Sequence, residues 1–192
     1  GETIDYGPCA FMNRFHPDTV FSSIDEQGRY AYANQPKMAK WNLMRLAETL
    51  LSLVDKDSEK AIEKVQPLFD DFDNQFNEVW KKNHLKKIGI VDEQDGDEDL
   101  INELMAWMEK EKSDFTNTFR GLLDEHLYED SVFQLDSFKI WKLKWEKRVA
   151  SIDGYKDVLG RANPSVIPRN NLVEEALIAV SEGEDLQLFN LL

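Results

Sequence analysis

The 192-residue sequence contains a single cysteine, Cys9, three histidines and no long apolar run. One cysteine excludes an internal disulfide and any zinc site built from cysteines. The histidines His16, His84 and His126 lie in unrelated segments without the spacing of metal ligands, so we expect no metal site built on them. No apolar stretch is long enough to cross a bilayer, and no signal-peptide pattern opens the chain. These absences predict a protein of a reducing compartment, the cytoplasm.

Basic residues are also few, because 23 Lys and Arg stand against 37 Asp and Glu, which gives a net charge of −14. Nucleic-acid binding requires a basic face, and so does docking on an anionic membrane, so we expect neither partner. Two local basic clusters, at 81–87 and 139–148, are interleaved with apolar residues at helical spacing. We interpret both clusters as solvated faces of amphipathic helices.

The composition predicts a globular protein, since 42% of the residues are hydrophobic and the chain contains 11 Phe and five Trp. Residues 1–35 are rich in Gly, Pro, aromatic and β-branched residues, which predicts an irregular segment with one short strand near Thr3 to Tyr6. From Pro36 onward the apolar residues recur every three or four positions, which predicts an all-helical body over residues 36–192. The predicted fold class is mainly α.

The first predicted helix begins at Pro36 and is apolar over so wide an arc that we expect it to be central. The second runs from about Asp57 or Ser58 towards His84, with Pro67 kinking or splitting it. Its inward face is predicted from spacing to be Ala61, Val65, Phe69, Phe72, Phe76 and Trp80. Further helices are expected at about Ser113–Leu123, Val132–Ala150 (with Phe138, Trp141, Trp145 and Val149 inward), Asp153–Leu159, Asn171–Ser181 and from Asp185 to the end.

The acidic run 92–99 invites comparison with a calcium-binding EF-hand loop. Aligning Gly96 with the invariant glycine puts Val91 and Asn102 where carboxylate ligands are required, so the match fails. The acidic residues are instead expected to cap the helix that follows, because carboxylates complement the positive end of a helix dipole.

The opening residues Thr3-Ile4-Asp5-Tyr6-Gly7-Pro8 resemble the Asp-Phe-Gly element of kinase-like folds. There the aspartate holds magnesium against the nucleotide phosphates, and magnesium prefers such hard oxygen ligands. The tripeptide by itself favours an ordinary aspartate in a turn before Gly7-Pro8.

Other strings follow in a fixed order: Phe11-Met12, Asp25 with 27–32, Asn34-Gln35-Pro36, Trp41-Asn42-Leu43, 45–47, 114–120, 163–164, 167–170 and 173–176. Together with the opening hexapeptide they resemble the selenoprotein O / YdiU family, from Thr3 to about Ala179. The resemblance implies the helical C-terminal lobe of a kinase-like fold with a helical extension. It also implies a magnesium-dependent protein adenylyltransferase that moves AMP from ATP to hydroxyl side chains of proteins. By motif match, Asp5 would bind both magnesium and ATP.

In that family the phosphate-binding glycines, the lysine, the arginines and the catalytic Asp-Asn pair would precede Gly1, so the resemblance implies no catalytic residue within this chain. We therefore expect these 192 residues alone to be inactive. The alternative is a helical protein-binding scaffold of a pseudokinase or phosphotransferase. The resemblance is compatible with a cytoplasmic location or, in a eukaryote, a mitochondrial one.

Several polar residues have two interpretations. We interpret Cys9 as a buried or incidental thiol, because no histidine is near it in sequence. One short loop contains four polar residues: Arg29, Tyr30, Asn34 and Gln35. They could line an active site or form hydrogen bonds with backbone groups, and the sequence favours neither interpretation. For residues of the late strings we favour capping and inter-helix hydrogen bonds: Arg120, Arg169 and Asn170. Finally, we expect the irregular segment to expose four apolar side chains: Ile4, Phe11, Phe15 and Phe21. Such a surface should produce either a non-native dimer or a disordered N-terminus.

Overall fold

The computed structural model describes residues 10–129 and 131–183, and this part of the chain is helical, without a strand. The α-helices are α1 (Gln35–Val54), α2 (Ser58–Asp70), α3 (Phe72–Lys87), α4 (Asp97–Glu111), α5 (Phe115–Arg120), α6 (Asp136–Val149), α7 (Tyr155–Ala162) and α8 (Asn170–Ser181). Short 3-10 helices lie at Tyr32–Asn34, Glu125–Tyr128 and Ser131–Gln134. The predicted mainly α class is confirmed. The predicted strand near Thr3, the side chain of Ile4 and the helix from Asp185 lie outside the described residues.

The core lies where α3, α4, α6 and α7 meet, and α6 contributes its four predicted inward residues, all of which are buried. An indole N–H in an apolar core needs an acceptor. The Trp141 indole donates to the Leu100 carbonyl at 2.9 Å, and the Trp145 indole donates to the Ile88 carbonyl at 2.7 Å. These two bonds connect α6 to the first turns of α4 and to the end of α3.

The predicted second helix is divided into α2 and α3, and the break falls at Asp71, four residues after Pro67. The Asp71 carboxylate accepts hydrogen bonds from the side chains of Gln75 at 2.8 Å and Asn74 at 3.2 Å, and these bonds lower the pKa of Asp71. The predicted inward face is confirmed along both helices. Ala61 is buried and the other five residues of that face are half-buried.

Helix α1 is not central within the described part of the chain, and the prediction was wrong there: none of its residues is buried. One row, Met44, Ala47 and Leu51, is half-buried and faces α2. The neighbouring row is exposed: Leu43, Leu46, Leu50 and Leu53. A wide apolar arc predicts that a helix has neighbours on several sides, and α1 packs mainly on α2 among the described elements.

Phe15 was also predicted wrongly as exposed, because only 5% of it is accessible, whereas Phe11 is 39% exposed. The Phe15 ring stacks on Phe115 with centroids 5.9 Å apart. Backbone bonds fix this contact: the Phe15 N–H donates to the Ser113 carbonyl at 2.9 Å and the Phe115 N–H donates to the Asn13 carbonyl at 2.7 Å. The segment before α1 therefore adheres to the start of α5.

A buried ion pair joins the first turn of α4 to the last turn of α6. Asp97 is 1% exposed, and the Arg148 guanidinium contacts both of its carboxylate oxygens, at 2.7 and 2.9 Å. The same carboxylate accepts from the Gln94 N–H at 2.8 Å, while Arg148 donates to the Asp92 carbonyl at 2.6 Å. The predicted complement to the helix dipole is confirmed, because three acidic residues lie in the first turn of α4: Asp97, Glu98 and Asp99. The predicted capping was wrong, because the N-cap residue is Gly96 and no side chain caps the helix there.

Replacing Arg148 by Met should lower the free energy of unfolding by about 3–5 kcal/mol, because the Asp97 carboxylate would remain buried without its cation. The matched control is Lys144→Met, which removes an exposed pair with Glu103 and should cost about 1 kcal/mol or less. Urea denaturation followed by tryptophan fluorescence measures both changes. Equal unfolding midpoints for the two variants would contradict the assignment.

Candidate functional site

A cleft of about 540 Å³ opens where the segment before α1 meets the helical body. Its walls are mainly apolar and aromatic and come from residues 10–35, from α5 and from the loop before α8, with Phe11, Met12, Phe21, Tyr30, Tyr32, Phe115, Phe119 and Ile167 among them. Lys87, Gln35, Thr116 and Asn163 are the polar side chains of the lining besides the two tyrosines. Apolar clefts of this size with a few convergent polar groups are typical ligand sites.

A local turn presents the aromatic residues of one wall. The Asp25 carboxylate accepts from the backbone N–H groups of Arg29 and Tyr30, each at 2.8 Å. Gly28 has a φ of +63°, a conformation that costs glycine little, and its carbonyl accepts from the Asn34 side chain at 2.9 Å. The turn is therefore closed by its own polar residues.

Each of the two interpretations of the polar loop residues holds for some of them. Tyr30 and Gln35 line the cleft. Asn34 satisfies a backbone carbonyl, as described above. The Arg29 guanidinium lies over the Trp41 ring at 4.6 Å from its centroid. None of these arrangements makes the residues catalytic.

The opposite wall is built around Asn163, which is 2% exposed. Its amide donates to the Lys87 backbone carbonyl at 2.8 Å, and its oxygen lies 3.4 Å from the Lys87 ammonium. That ammonium also lies over the rings of Phe119 and Phe115, at 5.2 and 5.6 Å from their centroids. Aromatic faces attract cations, so the rings partly replace the water that Lys87 has lost.

Lys87 sets the electrostatics of the cleft. Burial lowers its pKa, and no carboxylate of the described chain forms a salt bridge with it. A cation without a counter-charge in an apolar cleft favours an apolar ligand with an anionic end. Among the residues that the structure describes, the lining has no Asp, Glu, His or Cys. Through Lys87 these lining residues can bind such a group.

His84 lies on the same helix as Lys87, and its ring stacks on Trp80 with centroids 3.9 Å apart. Its Nδ1–H donates to the Trp80 carbonyl at 2.8 Å, and its buried Nε2 has no hydrogen-bond partner in the described part of the structure. Burial lowers the pKa of His84, and the nearby Lys87 charge lowers it further, while the bond to the Trp80 carbonyl opposes this shift. The folded protein thus favours neutral His84.

Lys87 was not predicted as a site residue, because the basic cluster 81–87 was interpreted as a solvated helix face. That interpretation was wrong for Lys87, which is half-buried. A signal was present: Trp80, His84 and Lys87 are four and three residues apart and therefore share one face of α3. Periodicity shows this alignment, but it does not show that α5 and α7 cover the lysine.

The predicted magnesium and ATP ligand, Asp5, and the thiol of Cys9 lie outside the described residues. Arg120 donates to the Asn163 carbonyl at 3.3 Å, and Arg169 pairs with Asp114, so both arginines bridge elements, as expected. Asn170 makes a long bond, 3.5 Å, to the Phe11 carbonyl. In residues 10–129 and 131–183 no three His, Cys, Asp or Glu side chains gather as metal ligands would. Nor does any helix there have the length and apolar character needed to cross a membrane.

Comparison with known families identifies the class: the family model described as protein adenylyltransferase SelO matches residues 1–192. The chain belongs to the SelO family, and the resemblance found in its motifs is confirmed. A protein nucleotidyltransferase YdiU of Pelagibacter ubique (strain HTCC1062) is 45% identical over 194 residues, covering 99% of this chain and 40% of its own length. The protein of the same name from Alcanivorax borkumensis is 45% identical and is matched over 97% of this chain and 39% of its own length. The one from Clostridium botulinum (strain Eklund 17B / Type B) is 47% identical and is matched over 96% of this chain and 38% of its own length. The chain thus spans about two fifths of the length of these relatives.

The depressed pKa of His84 predicts a pH dependence of stability. The folded-state pKa lies below the ordinary value of 6.5, so His84 contributes stability that is complete above pH 6.5 and is lost as the pH falls below that value. The His84→Phe variant keeps a flat ring but cannot take up the proton. Its free energy of unfolding should therefore fall less between pH 7.5 and 5 than that of the unmodified protein.

The control for this experiment is His126→Phe, at a histidine whose side chain is 92% exposed. This variant should follow the pH dependence of the unmodified protein. If the His84 and His126 variants show the same pH dependence, the neutral state assigned to buried His84 is wrong.

Proposed function

We propose that the full-length protein transfers AMP from ATP to hydroxyl side chains of protein substrates in a magnesium-dependent reaction. The observation that carries the proposal is the family match over residues 1–192, together with the Asp5-Tyr6-Gly7 motif. The relatives that share this chain are named nucleotidyltransferases, and the chain covers about two fifths of their length. The activity is therefore proposed for the longer polypeptide, in the cytoplasm, and not for these 192 residues.

Asp5 is the proposed ligand of both magnesium and ATP. Its carboxylate supplies the hard oxygen that magnesium prefers, and the ion would neutralise charge on the nucleotide phosphates. The proposal is supported by the Asp5-Tyr6-Gly7 motif and by the family match over residues 1–192.

The cleft supports a division of labour within the longer protein. Its described lining offers apolar walls and the Lys87 ammonium. Transfer to a hydroxyl requires oriented reactants and neutralisation of developing charge, and the family resemblance implies that the groups for that step come from the longer polypeptide. We therefore propose that the described residues bind and position, and that the isolated 192-residue chain is inactive.

Replacing Asp5 by Asn in the full-length protein should reduce AMP transfer roughly 100-fold or more, since one directed electrostatic contact contributes that much to many transfer reactions. The assay incubates the protein with magnesium and ATP labelled at either the α or the γ phosphate. The expected result is incorporation of the α label alone. Asp18→Asn, at an exposed carboxylate, is the control and should retain the activity.

Other outcomes separate the alternatives. Incorporation of the γ label alone would identify a phosphotransferase. No incorporation of either label would favour the helical scaffold. Calorimetry on the isolated chain completes the experiment, because micromolar binding of ATP to these 192 residues would contradict their proposed inactivity.

A further inference from the structure

Lys87 is a half-buried cation whose hydrogen bonds within the described part of the chain are all long. Its ammonium donates to the Ala162 carbonyl and to the Asn163 side-chain oxygen, each at 3.4 Å. A good N–H···O bond is shorter, at about 2.7–3.2 Å. Lys142 is half-buried as well, but it donates to the Glu125 carboxylate at 2.6 Å. The Lys87 ammonium therefore keeps most of its bonding capacity for an acceptor that the described residues do not provide.

Two neutral side chains of the cleft are also available for a ligand. The Gln35 amide and the Thr116 hydroxyl line the cleft and are half-buried. Among residues 10–129 and 131–183 neither side chain has a hydrogen-bond partner. Half-buried polar groups that stay unpaired lose the water they had in the unfolded chain, so a polar ligand atom would stabilise them.

The remaining lining is mainly apolar, and six of its residues carry aromatic rings: Phe11, Phe21, Tyr30, Tyr32, Phe115 and Phe119. Aromatic rings pack edge to face or offset-stacked, with centroids about 4.5–7 Å apart. Phe115 and Phe119 already pack in this way, with centroids 5.1 Å apart and planes at 71°. A flat ring can continue this packing inside a cleft of about 540 Å³, which is an ordinary volume for a small-molecule site.

We propose that this cleft binds a small aromatic monocarboxylate, with the carboxylate on the Lys87 ammonium and the ring among the aromatic side chains. Lys87 is the single cation of the described lining, so it matches one negative charge. ATP brings several negative charges and would leave most of them unpaired beside apolar walls. The ligand is therefore distinct from the nucleotide of the proposed reaction, and the proposal does not depend on AMP transfer.

The test is a calorimetric titration of the full-length protein with naphthoate, a two-ring aromatic monocarboxylate. We expect saturable binding at one site. Lys87→Met should weaken this binding about tenfold or more, because a hydrogen bond to a charged group contributes more than a neutral one. The matched control is Lys86→Met, at the exposed neighbouring lysine of α3, which should leave the affinity within about twofold.

Two further probes separate the charge of the ligand from its ring. Naphthamide has the same rings without the charge, and it should bind about tenfold or more weakly than naphthoate. Acetate has the charge without the rings, and it should show no saturable binding at the same concentrations. If naphthamide binds as tightly as naphthoate, Lys87 does not anchor the ligand and the proposal is wrong.

A second variant applies if Lys87→Met fails to fold. Phe11 is 39% exposed, so Phe11→Ala leaves the buried core in place while it removes one ring of the cleft. The affinity for naphthoate should fall about threefold or more, because an aromatic pair contributes beyond the area it buries. An unchanged affinity would contradict the assigned position of the ligand ring.

Two other results would overturn the proposal. One is the absence of naphthoate binding to the full-length protein. The other is competitive displacement of naphthoate by ATP with magnesium, because the cleft would then belong to the nucleotide. Naphthoate binding in a protein that transfers no AMP supports this proposal and contradicts only the proposed reaction.

Discussion

The ion pair between Asp114 and Arg169 holds together three parts of the chain that are distant in sequence. Arg169 donates to Asp114 at 2.5 Å and to the Asn13 side chain at 2.6 Å. The same carboxylate accepts from the Asn117 N–H at 2.7 Å and so caps α5. The segment before α1, the start of α5 and the start of α8 therefore meet at one carboxylate. Because the cleft is lined by these same regions, its shape depends on this contact.

The chemistry of the cleft follows from what surrounds its lysine. Lys87 has aromatic rings and amide oxygens as neighbours and no carboxylate in the described structure, so the cleft keeps a positive charge inside a chain whose net charge is −14. The described lining is therefore suited to binding. This agrees with the proposal that the chain is one part of a longer polypeptide of the SelO family and that other parts supply the reacting groups.

Local patterns predicted much of the fold. The spacing of Phe138, Trp141, Trp145 and Val149 requires only residues three and four apart, and the structure buries all four. The prediction for Phe15 was wrong because its contact, Phe115, is one hundred residues away in sequence. The central position predicted for α1 was wrong within the described chain for a related reason. The width of an apolar arc indicates that neighbours exist, but it does not identify the element that provides them.

The sequence by itself determined the helical class, the inward faces of α2, α3 and α6, and the motif strings that place the chain in its family. These features depend on short stretches of sequence, in which side-chain spacing or residue identity is sufficient to predict them. Only the tertiary structure decided that Lys87 lies in an aromatic cleft and that, among the described residues, one apolar row of α1 is half-buried while the next is exposed. The physical reason is that burial depends on contacts between distant positions, and the contact of Lys87 with Asn163 spans 76 residues.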